Sequence, residues 1–448
     1  MSGSLFQNAT TSREPAARPL GLFDPSRAFD ALRAHRRVIV DYLQVLGGAS
    51  GRLALQTVYF LILANTLNLR DMGVFASVAA AGMILGCFTG LGFQALLFRT
   101  ATARPRALGA TFAAYYVAVA ASLPIAFAAA GALYLMLFAP SIGVIAYFTI
   151  IAVEVGCWRF IEMLVQVNNG LGRYSAAAHV LMASAGLRAL AALAFLVAGG
   201  GDVTRWSAFY LVGNALAFAM LGWLYHPRVR LRWKPAIFVG RLRDGLLFTF
   251  SYFAFLGQNE VDKLVILQLA GDRMVGVYVI TMRILDLTAA PLRPLFVIYS
   301  RKLLLAGRAK ARLLGEIVQF EALIAASSIA GCIALVAILT RWPNALGHNI
   351  ASAHGLLAAL LVVPAAKNLI EFHSELFFAF DRMGVRGACA WGVLALKAGA
   401  IALLIRTLGG GGEWGPWLNA IYLVLYLISI ATLRALLARE RRACERRA

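Results

Sequence analysis

The chain has 448 residues, 61% of them hydrophobic and 14% charged, with a formal net charge of +21. Repeated long apolar runs at this composition exclude a single soluble core and indicate a polytopic membrane protein. The basic residues sit in short connections between the apolar runs, which argues for membrane topology and against nucleic acid.

A membrane crossing needs about 20 apolar residues. The pattern predicts spans at 44–68, 72–98, 108–137, 142–167, 175–198, 203–225, 245–270, 275–299, 314–340, 355–379, 385–408 and 414–437. This is an all-α integral membrane protein of twelve transmembrane helices. Residues 1–43 form an Arg-bearing arm without the apolar core of a signal peptide, expected in the cytoplasm. Residues 226–244 form a basic cytoplasmic linker between six helices (44–225) and six more (245–437), and 438–448 a basic tail.

Charge placement supports the count. With both termini inside, cytoplasmic segments collect 28 Lys and Arg, against five on the other side: Arg70, Arg205, Arg273, Arg341 and Arg406. Adding or removing one helix would scramble that asymmetry. External loops are short, leaving no room for an external catalytic domain.

The charged residues inside the spans come in order along the chain. Arg52 has no acidic neighbour within a turn, so it needs an anion or an aqueous path, and a guanidinium fork suits phosphate. In the fourth span Glu154, Trp158, Arg159, Glu162 and Gln166 form a polar strip. Arg159 and Glu162 are spaced to pair, and Glu154 has no basic partner a turn away. Arg188 in the fifth span is unpaired along its helix.

The seventh span carries Glu260, Asp262 and Lys263. Facing lipid, these three would cost roughly 9 kcal/mol, against roughly 6 returned by the helix's Leu, Ile, Val and Phe. They are therefore expected to face other helices or a wet cavity, or to neutralise one another as a Glu260–Lys263 pair. The eighth span carries Arg283, Asp286 and Arg293, interrupted by Pro291 and Pro294. In the tenth, Lys367 and Glu371 are spaced to pair, leaving Glu375; Lys397 in the eleventh is a further unpaired cation.

We therefore expect Arg52, Arg188, Lys263, Arg283, Arg293 and Lys397 as a cationic substrate-binding set. Glu154, Glu260, Asp262, Asp286 and Glu375 are candidates for ion or proton coupling. No Gly-rich phosphate loop and no nucleophile–base arrangement is present, so a transporter rather than an enzyme is expected. The five cysteines and the scattered histidines have no metal-ligand spacing, and no cofactor is indicated.

The two halves open alike. Leu67-Asn68-Leu69-Arg70-Asp71-Met72-Gly73-Val74-Phe75 matches Ala270-Gly271-Asp272-Arg273-Met274-Val275-Gly276-Val277-Tyr278, setting Arg70 against Arg273 and Gly73 against Gly276. Halves repeated in one orientation imply a pseudo-twofold axis along the membrane normal and a site between lobes. The Arg-Asp-x-Gly-x-Phe stretch, Gly90-Leu91-Gly92-Phe93-Gln94, and Asn259-x-x-Asp262-Lys263 followed by Gly276-Val277-Tyr278 resemble polysaccharide repeat-unit flippases of the Wzx type. These belong to the multidrug/oligosaccharidyl-lipid/polysaccharide (MOP) exporter superfamily. The resemblance covers the whole chain in topology and about 44–99 and 245–300 in motif.

It implies a V-shaped, MATE-like pair of six-helix lobes around a cationic cavity in the bacterial inner membrane. The implied substrate is a polyprenyl-pyrophosphate-linked oligosaccharide, flipped between leaflets by alternating access for lipopolysaccharide or exopolysaccharide synthesis. Membrane lipid, a polysaccharide polymerase and chain-length proteins are the implied partners. The long amino-terminal arm and the external turns Gly199–Gly201 and Gly409–Gly412 depart from the pattern. Two alternatives stand beside this reading: an ion-coupled drug/cation antiporter of the same superfamily, and a membrane glycan polymerase or ligase.

Overall fold

The computed structural model describes residues 51–289, 291–293, 296, 299, 310–379 and 383–445. The amino-terminal arm, the start of the first span and the basic stretch 301–309 lie outside the described residues.

The described elements are helices and turns, without a strand among them. Helix α1 runs over 51–66, followed by α2 (Leu69–Gly86), α3 (Phe93–Ala103), α4 (Leu108–Leu133), α5 (Val144–Ala152), α6 (Arg159–Gly170), α7 (Tyr174–Val197) and α8 (Val203–Tyr225). A second series holds α9 (Pro235–Ala270), α10 (Asp272–Ala289), α11 (Lys310–Arg341), α12 (His348–Ser352), α13 (His354–Ala359), α14 (Val363–Ala379), α15 (Met383–Leu408) and α16 (Leu418–Glu445). Grouped by crossing, they make two lobes of six, as the repeated motif predicts. Among the described residues, eight helical stretches are long and apolar enough to cross a membrane. Helices α9, α10 and α14, outside that set, carry many of the intramembrane ionic residues.

Local sequence sets the ends. Asn68 accepts a hydrogen bond from the Asp71 backbone at 2.8 Å and caps α2, and Asp202 caps α8 through the Arg205 backbone at 2.9 Å. Pro235 sits in the first turn of α9, where its missing N–H costs nothing. That helix begins inside the stretch expected to be linker.

Two expected spans are broken. The run 72–98 is interrupted between Gly86 and Phe93, because Gly90, Leu91 and Gly92 all take positive φ, at 77°, 47° and 74°. Hydropathy does not register backbone handedness, and the apolar Leu91 hid the turn. The run 355–379 is also split: Pro364 cannot donate to a preceding turn, so α14 starts afresh at Val363. The freed Val362 N–H is taken up by Asn419 Oδ1 at 3.0 Å.

Helix α2 is the strut between lobes, packing along both α9 and α10. Near its start, Gly73 lies against Gly276, so close that a Cβ on either would collide with the other helix's backbone. Just beyond its end, Gly92 lies equally close to Gly245 of α9. Small residues let membrane helices approach backbone to backbone, where dispersion rather than hydrophobicity supplies the attraction. Arg70 adds an ion pair to Asp272 at 3.1 Å, and Ser141 donates to the same carboxylate at 2.8 Å. The lobes thus touch at both ends of α2.

Candidate functional site

Between these two contacts lies a cavity of about 370 Å³ walled by both lobes. Its first-lobe wall comes from α1, α2, α7, α8 and the turn joining α5 to α6. That turn, Val153–Trp158, is a π-helical bulge. The extra residue in such a bulge re-aims side chains, and π-bulges occur often at functional sites. Here it turns both Glu154 and Trp158 to the cavity.

Trp158 organises two arginines. The guanidinium carbon of Arg188 lies 4.4 Å from the indole centroid and that of Arg52 lies 5.6 Å away. Both are within cation–π range. Arg188 Nε donates to Asn214 Oδ1 at 2.7 Å, while its buried Nη2 has no hydrogen-bond partner among the described residues. Glu154 is buried at 4% exposure and accepts a hydrogen bond from the Tyr210 hydroxyl. Arg159 pairs with Glu162 at 2.8 Å, as its spacing predicted, and Tyr252 of the second lobe donates to the same Glu162.

The second-lobe wall is different in kind, because most of its charges are paired. Lys263 bonds Glu260 one turn away, and both line the cavity. Asp286 is paired with Lys367 of α14, and Arg293 with Glu371 of the same helix at 3.1 Å. Arg283 lines the cavity and makes no ion pair among the described residues, like Arg52 and Arg188.

Of the expected cationic set, the cavity gathers Arg52, Arg188, Lys263, Arg283 and Arg293; of the acids, Glu154, Glu260 and Asp286. Three others lie elsewhere. Lys397, expected as an unpaired cation, is buried in an ion pair with Asp262 at 2.6 Å and donates to the Gln258 carbonyl at 2.9 Å. Tyr278 completes that cluster by donating to Asp262. Glu375 faces Arg386 at 3.4 Å.

The pairing expected within α14 is also corrected: Lys367 and Glu371 each reach across to another element rather than to each other. Spacing along one helix reveals which residues share a face, but not which charge the neighbouring helix presents. Sequence reasoning placed Trp158 in a polar strip without a role and passed over Tyr210 and Asn214. The unpaired arginines were the available signal, since each needs an acceptor or a ring.

The structure is similar to solved transporters over most of its length. An inward-facing MATE family multidrug resistance transporter of the MOP superfamily aligns with a TM-score of 0.60 at 17% identity, covering 88% of this chain and 99% of that one. The MATE multidrug transporter DinF-BH, solved as a complex, gives 0.58 at 14% identity, with 89% and 94% covered. A MOP superfamily transporter from Pyrococcus furiosus, in which reverse polarity of the binding pocket suggests a different function, gives 0.55 at 15%, with 89% and 95% covered. The fold is therefore that of the MATE transporters: a multi-pass helical membrane protein. No family model matches the sequence, and no curated protein matches it.

Proposed function

We propose that the protein is a flippase that moves polyprenyl-pyrophosphate-linked oligosaccharide across the bacterial cytoplasmic membrane by alternating access. The observation that carries this reading is the trio Arg52, Arg188 and Arg283, without an ion pair among the described residues, around a cavity between two lobes. Unpaired cations at membrane depth call for an anion, and a guanidinium fork matches phosphate oxygens bidentately. A cavity of about 370 Å³ takes a headgroup, leaving the prenyl chain to the bilayer. The two contacts at the ends of α2 are the places where access would alternate.

A drug/cation antiporter is the second reading, favoured by the MATE neighbours, two of which are multidrug transporters by name. The wall chemistry weighs against it. A cationic drug would find Glu260 held by Lys263, Asp286 by Lys367 and Glu154 by the Tyr210 hydroxyl, beside the unpaired Arg52, Arg188 and Arg283. The pocket of the Pyrococcus neighbour is a precedent for altered polarity on this fold.

Arg52→Ala, Arg188→Ala and Arg283→Ala are expected to abolish surface polysaccharide in a cell that depends on this protein, with its membrane abundance unchanged. Full export by all three variants would overturn the reading.

A further inference from the structure

Arg159 and Arg293 are each held by a carboxylate, Glu162 at 2.8 Å and Glu371 at 3.1 Å. Arg188 is held by an amide: its Nε donates to Asn214 Oδ1 at 2.7 Å. The difference begins in the packing of α7 against α8. A Cβ at Gly213 would lie 2.7 Å from the Ala191 Cβ and 3.3 Å from the Leu187 carbonyl oxygen. Only a residue without a side chain lets the two helices come this near. The next residue, Asn214, is fully buried and thereby reaches Arg188 on the other helix.

The amide has one workable orientation. Its Nδ2 donates to the Tyr210 carbonyl one turn back at 2.8 Å. Turned over, it would set donor against donor at Arg188 and oxygen against oxygen at Tyr210. Two rings flank the guanidinium, Trp158 with its centroid at 4.4 Å and Tyr210 at 5.8 Å. The Tyr210 hydroxyl also donates to Glu154, the acid that lines this wall, so Tyr210 stands between the acid and the arginine.

Arg188 is thus fixed without being neutralised. Its Nε is spent on position, while Nη2 keeps its donors unused among the described residues. A carboxylate in the place of Asn214 would hold the arginine more tightly and cancel its charge. An amide fixes the side chain and leaves the charge for whatever enters. A cation left unneutralised at membrane depth is costly, and its retention points to an anionic visitor.

We propose that Asn214 is a positioning residue for Arg188 and makes the first-lobe wall select anions. It orients the guanidinium without cancelling its charge, so a diphosphate meets a fixed and fully charged fork. Transport of a lipid-linked diphosphate rests on the flippase reading, whereas anion binding at Arg188 does not.

Inorganic pyrophosphate is the probe, titrated calorimetrically into the purified full chain in detergent at constant ionic strength. Arg188→Ala identifies the part of the binding that belongs to the cavity. Asn214→Asp keeps an acceptor for Nε but adds a negative charge, and its affinity is expected to fall about tenfold or more. Asn214→Ala releases the guanidinium without adding charge and is expected to lose affinity several-fold, less than Asn214→Asp. An asparagine with only a structural role gives the reverse order, because Asp still accepts from Nε and Ala does not.

No pyrophosphate binding by wild type, binding that survives Arg188→Ala, or an affinity in Asn214→Asp at or above that of Asn214→Ala overturns the proposal. Should Asn214→Asp not fold, wild-type affinity in Asn214→Ala overturns it alone. If pyrophosphate binds in the expected order but proteoliposomes exchange no polyprenyl-diphosphate oligosaccharide, the flippase reading fails and the role of Asn214 stands.

Discussion

Gly73 and Gly276 meet backbone to backbone at the crossing of α2 and α10, where neither position has space for a Cβ. They occupy the same place in the two copies of the repeated motif. The repeat is thus its own partner across the pseudo-twofold, and Arg70 and Asp272 pair beside it at 3.1 Å.

A larger side chain at this crossing forces the lobes apart on that side. Gly73→Leu is expected to open the seam and raise labelling of a cysteine placed at Leu69 by a membrane-impermeant maleimide. The paired variant Gly73→Cys/Gly276→Cys is expected to cross-link and stop transport until reduced. Transport by the cross-linked protein would show that this contact does not open.

Lys397 and Asp262 are 3% and 2% exposed, and their ion pair lies away from the cavity. Removing one partner of a buried pair typically costs about 3–5 kcal/mol, because the other charge is stranded. Lys397→Met should therefore lower thermal stability in detergent sharply, with Lys397→Met/Asp262→Asn recovering most of the loss. Lys397→Met with unchanged melting would mean the pair contributes little.

Trp158 gives Arg52 and Arg188 a common ring, and its effect should track the ring rather than the residue. Trp158→Ala is expected to reduce transport at least tenfold, and Trp158→Phe to keep a substantial part of it. Equal loss in both variants would point to the indole's shape instead of its π face.

Beyond the spans, His226 follows α8, with its Nε2 2.7 Å from the Tyr116 hydroxyl and its ring against Phe112 at 4.8 Å. Burial holds its pKa below the usual histidine value. A depressed histidine pKa means the unfolded or undocked segment binds more protons, so docking is firm above the ordinary histidine range and weakens as pH falls through it. Hydrogen exchange over 226–234 should accelerate between about pH 7.5 and 5.5 relative to the intrinsic rate. His226→Gln should remove the difference; if the variant keeps it, another group is responsible.

The all-helical membrane architecture, the two-lobe repeat and the cations on the cavity wall were legible in the sequence because each rests on hydropathy, the repeated motif or an unpaired arginine. The turn at Gly90–Gly92 was not, since it depends on the handedness of three residues embedded in an apolar run. Nor were the partners of Lys367, Glu371 and Lys397, whose choices are made by the helix opposite. Trp158 faces the cavity because a π-bulge adds one residue to its turn, a register change that no 3.6-residue periodicity anticipates.

The most direct test is reconstitution of the purified protein into liposomes with labelled polyprenyl-pyrophosphate oligosaccharide, scoring exchange between leaflets. As a flippase, wild type is expected to give exchange that is lost in Arg52→Ala/Arg188→Ala/Arg283→Ala, with no transport of a cationic dye. Transport of the dye with no exchange of the lipid-linked glycan would contradict it.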